Sequence, residues 1–241
     1  MEPCILTSDD WDSWPEMAAE AVGKAVELVI SRQGTCNLML TGGTVAERLY
    51  LYWSRTSALP LDKIHFYLGD ERCVAPDHPE SNYALVMRTL PGVTSIVRME
   101  AENPDRAAAA KAYAQMLPET IDVLLLGMGE DGHIASLFPH DPVLLSERRG
   151  VESITGPKAP CQRLTVTPDV ITRARYIFVL ATGIAKGKTL DTAFESKTDF
   201  SSLPVRLTLG GTWLLDRDAS SQIRNDFKNS RNFQDFLESR W

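Results

Sequence analysis

Residues Ile121 to Pro139, IDVLLLGMGEDGHIASLFP, constrain the fold more than any other stretch of the chain. The apolar run Val123 to Leu126 passes directly into Gly127, Gly129 and Gly132, which enclose Glu130, Asp131 and His133. A short apolar run without polar alternation predicts a strand covered on both faces, as in a parallel sheet. Such sheets place their ligand sites in loops at the carboxyl ends of the strands. Glycines there allow a tight turn and a close approach of backbone to ligand. An imidazole and two carboxylates therefore fall where an α/β protein concentrates its chemistry. Taken singly, a glycine-rich turn or a loop histidine is more often structural.

Three further stretches repeat the pattern of strand followed by a polar or glycine-rich turn. Asn37 to Leu40 predicts a strand, followed by Thr41-Gly42-Gly43-Thr44 and a helix from Val45 to about Arg55. Amides at a helix N-terminus point at an anion and the helix dipole favours it, so Gly42, Gly43 and Thr44 form a candidate phosphate cradle. A Gly pair alone is equally the mark of an ordinary tight turn. Lys63 to Leu68 predicts a second strand, ending in Gly69-Asp70-Glu71-Arg72. Arg72 offers a planar fork suited to phosphate or carboxylate, and the alternative for this cluster is a solvated loop with local ion pairs. Arg175 to Ala181 predicts a buried strand, and Gly183 to Lys188 opens the next helix with Lys186 in its first turn.

Other segments carry no assigned chemistry. Ser13 with Pro15 and Glu16 predicts a capped helix start, Met17, Ala21, Ala25, Leu28 and Val29 its apolar face, and Gly34 its stop. Ser81 or Asn82 begins a helix to about Leu90, Asn103-Pro104 opens an Ala-rich helix to Leu117, and Pro168 starts a short helix to about Ala174. Gln162 to Thr167 alternates like a strand with Leu164 and Val166 on one face, and Trp213 to Asp216 is a last strand. Residues 140–160 lack periodicity and are expected to pass over the site mouth. Residues 222–241, with Phe227, Phe233, Phe236 and Leu237, suit a surface-docked helix. His65 is expected to be structural; His78 and His140 lie in loops.

The stretch Gly127 to Pro139, GMGEDGHIASLFP, resembles the signature of the 6-phosphogluconolactonase family. The related glucosamine-6-phosphate deaminases share the Asp-Gly-His core but continue Ala-Phe-Asn-Glu-Pro, where this chain has Ala135-Ser136-Leu137-Phe138-Pro139. Gly69 to Arg72 followed by Ser81-Asn82-Tyr83 also matches the lactonase pattern, and deaminases have an Asp-Glu-Tyr type sequence where Arg72 stands. Gly183 with Lys186 fits the family's Gly-x-x-Lys. Residues Thr41 to Thr44 match the family's Ser-Gly-Gly-Ser loop in part, with Val45-Ala46 in place of Thr-Pro, and Cys73 stands where Trp is common. The resemblance implies one domain over residues 1–241. Its fold would be a Rossmann-like, mainly parallel α/β sheet with helices on both faces, of the NagB/RpiA/CoA-transferase-like kind. The residues independently give alternating strands and helices, which is the same class.

At 241 residues the chain is long enough for one large core. A net charge of −7 without a basic block argues against nucleic acid, and obliges a protein that binds an anion to concentrate its cations locally. Cys4, Cys36, Cys73 and Cys161 are scattered, without metal-type spacing. No apolar run reaches the ~20 residues of a membrane span, and the N-terminus lacks the basic and apolar regions of a secretory signal. A cytoplasmic protein without metal or cofactor is expected, a monomer or small homo-oligomer.

The implied activity is hydrolysis of a phosphosugar lactone. An imidazole suits proton transfer near neutral pH, so His133 is assigned as general base on water, with Asp131 able to orient it. Gly42, Gly43, Thr44, Asp70, Arg72 and Lys186 are the candidate substrate-binding residues, and which of Arg72 and Lys186 meets the phosphate stays open. No Gly-x-Ser-x-Gly elbow occurs, and Ser136 is a nucleophile only in the formal sense. The rivals are a glucosamine-6-phosphate deaminase and a non-catalytic sugar-phosphate sensor.

Overall fold

A computed structural model describes residues 3–148, 150–195, 198–224 and 232–241. In chain order its elements are β1 (Cys4–Ser8), α1 (Trp14–Gln33), β2 (Cys36–Leu40), α2 (Thr44–Thr56), β3 (Ile64–Leu68), β4 (Asp70–Arg72) and α3 (Asn82–Thr89). Then come β5 (Ile96–Val97), α4 (Arg106–Met116), β6 (Val123–Gly127), β7 (Val151–Thr155), β8 (Gln162–Val166), α5 (Pro168–Thr172), β9 (Tyr176–Ala181), α6 (Gly187–Phe194), β10 (Thr212–Asp216), α7 (Arg217–Ser220) and α8 (Phe233–Glu238).

Seven strands form one sheet in the order β1-β10-β9-β6-β2-β3-β5, and every pairing in it is parallel. The apolar runs are continuous because the sheet is covered on both faces. Along β6, Leu124 and Leu126 enter one core while Val123 and Leu125 enter the other. One core is filled by Trp14, Val22, Leu49 and Trp53 of α1 and α2, the opposite one by Tyr113, Ile171, Leu190 and Phe194 of α4, α5 and α6. Burying such side chains contributes about 1.5–3 kcal/mol each, which makes the central strands the rigid frame of the site.

A second, antiparallel sheet, β4-β8-β7, joins the α4 side of this frame through Val151, Ile154, Leu164 and Val166. It excludes one alternative and adds a strand to a stretch that lacked periodicity. Asp70 to Arg72 is a paired strand rather than a solvated loop, and the stretch 140–160 contains β7. No described residue of that stretch lines the cleft described below. β8 is also buried on more than one face, since Arg163 and Thr165 are enclosed as well as Leu164 and Val166. β1, a parallel edge strand beside β10, was not anticipated.

The helix starts differ in detail. Ser13 precedes α1 but does not cap it with its side chain. Asp10 instead fastens the turn before the helix, its carboxylate accepting from the Asp12 and Ser13 amides and the Ser13 hydroxyl. α4 begins two residues beyond Pro104, capped by Asp105, which accepts from the Ala108 amide at 3.0 Å. Gly34 ends α1 at φ +89°, a conformation glycine adopts without strain. In the tail, Phe236 and Leu237 of α8 are buried against the sheet, while Phe227 lies outside the described residues.

Candidate active site

The chain order reverses between β2 and β6: β3 and β5 lie to one side of β2, β9 and β10 beyond β6 on the other. These two strands pair only through Leu38 with Val123 and Met39 with Leu124. β2 stays with β3 as far as Leu40, and β6 with β9 as far as Gly127. The sheet therefore opens at the carboxyl ends of β2 and β6, at the switch point where α/β proteins bind ligands. A cleft of about 260 Å³ lies there, the scale of one small molecule.

One wall is the turn from β2 into α2. Gly43 is the N-cap at φ +93°, and no side chain caps α2, so its first-turn amides stay available to a ligand. Tyr50 holds the turn from below, donating to the Thr41 carbonyl at 2.8 Å and accepting from the Thr41 amide at 3.0 Å. A Cβ on Gly42 would stand 1.9 Å from Asn82 Oδ1, so only glycine fits there.

The opposite wall carries His133. Asp131 Oδ1 lies 2.5 Å from His133 Nδ1 and also accepts from the His133 amide at 3.3 Å. The imidazole packs against the Phe138 ring at 4.6 Å between centroids. Its hydrogen bond with His133, the largest influence, holds the Asp131 carboxyl down at about 2. An ionised Asp131 accepts from Nδ1–H and so leaves Nε2 with a free lone pair. The loop is anchored at both ends of its turn: Thr189 donates to the Glu130 carbonyl at 2.6 Å and the Val205 amide to the Gly132 carbonyl at 2.9 Å.

Three cations line the same cleft, Arg72, Arg163 and Lys186. Arg72 on β4 and Arg163 on β8 are direct cross-strand partners, an arrangement that is unfavourable without a counter-charge. Arg72 Nε is buried and donates to no described residue. Its Nη1 donates to the Glu80 carbonyl at 2.5 Å. Arg163 lies over Phe138 and donates to the carbonyls of Pro160 and Lys158. Lys186 comes from the turn after β9. Burial pushes its ammonium below the usual lysine value, opposed by Glu130 and then Asp216. A concave site with three cations in a chain of net charge −7 has the charge to suit an anion.

The carboxylates of Gly69 to Arg72 have divided roles. Glu71 accepts from Ser81 Oγ and from the amides of Arg72, Asn82 and Tyr83, so it fastens the N-terminus of α3. Burial raises its carboxyl despite those four donors. Asp70 lines the cleft, with Oδ1 accepting from Asn82 Nδ2 at 3.1 Å and Oδ2 from Ser136 Oγ at 2.7 Å. Ser136 is wholly enclosed and does not line the cleft, which removes the formal nucleophile.

The structure thus brings Gly42, Gly43, Thr44, Asp70, Arg72, His133 and Lys186 to one cleft, with Asp131 behind the imidazole. His65 is on β3 and exposed, and neither His78 nor His140 lines the cleft. Arg163 and Asn82 were missed. Arg163 sits in an alternating strand, where its strand partner Arg72 is the signal and is visible only once the pairing is known. Among the described residues no group of three or more His, Cys, Asp or Glu is placed to hold a metal.

A doubly covered parallel sheet with a cation-lined cleft and an acid-oriented imidazole at its switch point defines a Rossmann-like α/β protein. Comparison with known proteins narrows the class. The family model of glucosamine-6-phosphate isomerases/6-phosphogluconolactonase matches residues 9–214, and the chain belongs to that family. A 6-phosphogluconolactonase of Synechocystis is 33% identical over 227 residues, 87% of this chain and 93% of that protein. Among solved structures, a 6-phosphogluconolactonase of Trypanosoma brucei superposes with a TM-score of 0.81 at 24% identity, covering 92% of this chain and 99% of the other. A monomeric glucosamine-6-phosphate deaminase of the NagB superfamily gives 0.77 at 19% identity over 91% and 99%. These structural likenesses establish the shared fold.

Proposed function

We propose that this protein hydrolyses 6-phospho-D-glucono-1,5-lactone to 6-phosphogluconate, the lactone-opening step of the oxidative pentose phosphate pathway. The observation that carries the reading is the placement of an Asp131-bound imidazole across one small cleft from three cations. The phosphate is the dianionic handle for Arg72, Arg163, Lys186 and the first-turn amides of α2. Its binding holds the ring ester against His133, so energy from the unreactive end lowers the barrier at the reacting end. His133 Nε2 takes a proton from water as the water oxygen attacks C1. The negative charge that develops on the carbonyl oxygen is met by donors of the cleft. The tetrahedral adduct collapses by breaking the bond from C1 to the ring oxygen. His133 returns its proton to that oxygen, leaving a carboxylic acid that ionises and a free hydroxyl. Asp70, acceptor-only and facing the cleft, suits a sugar hydroxyl.

The four cysteines are free thiols, as a reducing compartment keeps them, and a cytoplasmic location is part of this reading. No helix among the described residues is long and apolar enough to cross a membrane.

The test follows acid release from 6-phosphoglucono-1,5-lactone above its spontaneous rate. Wild-type protein is expected to accelerate it, and His133→Ala to lose the excess while still binding 6-phosphogluconate. Ammonia release from glucosamine 6-phosphate would instead identify a deaminase. Normal turnover by His133→Ala would show that the base is misassigned.

A further inference from the structure

Ser136 lies three residues beyond His133 and has no solvent exposure. Its hydroxyl proton is committed: Oγ donates to Asp70 Oδ2 at 2.7 Å. The same oxygen accepts from Arg163 Nη1 at 3.4 Å, and its backbone amide donates to Thr165 Oγ1 on β8 at 3.2 Å. A hydroxyl has one proton and two lone pairs, so Ser136 is a junction, one bond passing to β4 and one to β8. Asp70 continues the chain through Asn82 Nδ2, and Asn82 abuts Gly42 in the α2 turn. Asn82 is buried and its Oδ1 has no hydrogen-bond partner. The orientation of its amide is set by Asp70, whose backbone carbonyl and Oδ1 both accept from Nδ2.

The need for such a junction follows from the charges. Arg72 and Arg163 face each other across the β4–β8 pair and repel. Arg163 has a long side chain whose freedom must be restricted before it can meet an anion in one geometry. Backbone carbonyls of Pro160 and Lys158 hold two of its nitrogens, and Ser136 holds the third. We propose that Ser136 is a positioning residue of the anion clamp, tying Asp70 to Arg163 and so fixing where that guanidinium meets the substrate phosphate, without touching substrate itself. The proposal rests on the lactonase reading above for the identity of the anion. In water-poor surroundings a connected polar chain is stiffer than its separate bonds, so cutting it at Ser136 loosens Arg163 and leaves the His133–Asp131 pair intact.

The experiment compares wild type with Ser136→Ala, which removes the hydroxyl, and with Ser136→Cys, which is somewhat larger and donates poorly. Steady-state hydrolysis of 6-phosphoglucono-1,5-lactone is measured alongside calorimetric titration with inorganic phosphate. Loss of this positioning is expected to raise KM about tenfold with kcat within about twofold, and to weaken phosphate binding by a similar factor. Because Ser136 acts through Arg163, adding Ser136→Ala to Arg163→Lys is expected to cost little beyond Arg163→Lys alone. Unchanged KM and phosphate affinity in a folded Ser136 variant, or losses that multiply in the double variant, would overturn the proposal. So would a fall in kcat alone. Failure of the wild type to hydrolyse the lactone would instead sink the lactonase reading, and the phosphate titrations would still decide the role of Ser136.

Discussion

At His133 the decisive quantity is which nitrogen carries the proton. Asp131 is ionised down to about pH 2 and receives Nδ1 at 2.5 Å, so in the neutral ring Nε2 carries the lone pair that the proposed reaction needs. An amide at position 131 can present either its oxygen or its NH2 to the ring, and the second choice selects the wrong tautomer. Asp131→Asn is therefore expected to lower kcat about a hundredfold with little change in KM, measured by continuous acid release. The linkage sign is that of a depressed carboxyl. Whatever stability the Asp131–His133 contact supplies is present above the unfolded carboxyl value of about 4 and is lost as pH falls toward 2. Lys186 gives the opposite limb. Burial lowers its ammonium, so it loses charge at a lower pH than an ordinary lysine. Affinity for 6-phosphogluconate, followed by calorimetry from neutral to alkaline pH, is expected to fall before pH reaches the free-lysine value of about 10.4. Lys186→Arg, which keeps its charge, is expected to abolish that fall.

The elements that matter are the four strand ends, and the glycines there act by what they leave room for. Gly129 is not in the left-handed region, so alanine is allowed by its backbone. A Cβ there would stand 2.1 Å from His133 Nδ1 and 2.5 Å from Asp131 Oδ1. Phe138 behind the ring restricts where the imidazole can retreat. Gly129→Ala is expected to lose about a hundredfold in kcat while the thermal midpoint moves by only a few degrees, because a misplaced base costs rate more than stability. These strand ends were legible in the sequence. Val123 to Leu126 and Tyr176 to Ala181 are uninterrupted apolar runs because both faces are covered, and each stops at a glycine-bearing turn. β1 and β7 were not legible. CILTS and VESIT are short, mix polar with apolar residues, and declare themselves only through partners distant in the chain. The same reason hid Arg163 and the Ser136 junction. His133 and Asp131 are neighbours in sequence, but Arg72 and Arg163 meet through a pairing that no local pattern encodes.

At the scale of the whole molecule, the fold keeps the cations of the proposed clamp and the proposed base on separate elements that meet at the switch point. Arg72 comes from β4, Arg163 from β8 and Lys186 from the turn after β9, while His133 follows β6. A dianion bound among them bridges both sheets and both sides of the β2–β6 opening, and it binds the folded chain alone. It must therefore stabilise the fold by mass action. A ligand present at a hundred times its dissociation constant contributes about 2.7 kcal/mol. For a chain of this length that corresponds to a rise in Tm of about 5–10 °C. Thermal unfolding with 6-phosphogluconate is expected to show this rise in the wild type and to retain it in His133→Ala, since the base is not part of the clamp. Arg163→Leu is expected to lose most of it, because that change removes a cation and leaves Ser136 with one bond fewer. A shift that depends on His133 but not on Arg163 would mean that the phosphate sits at the imidazole end, and the substrate would have to be turned around in the cleft.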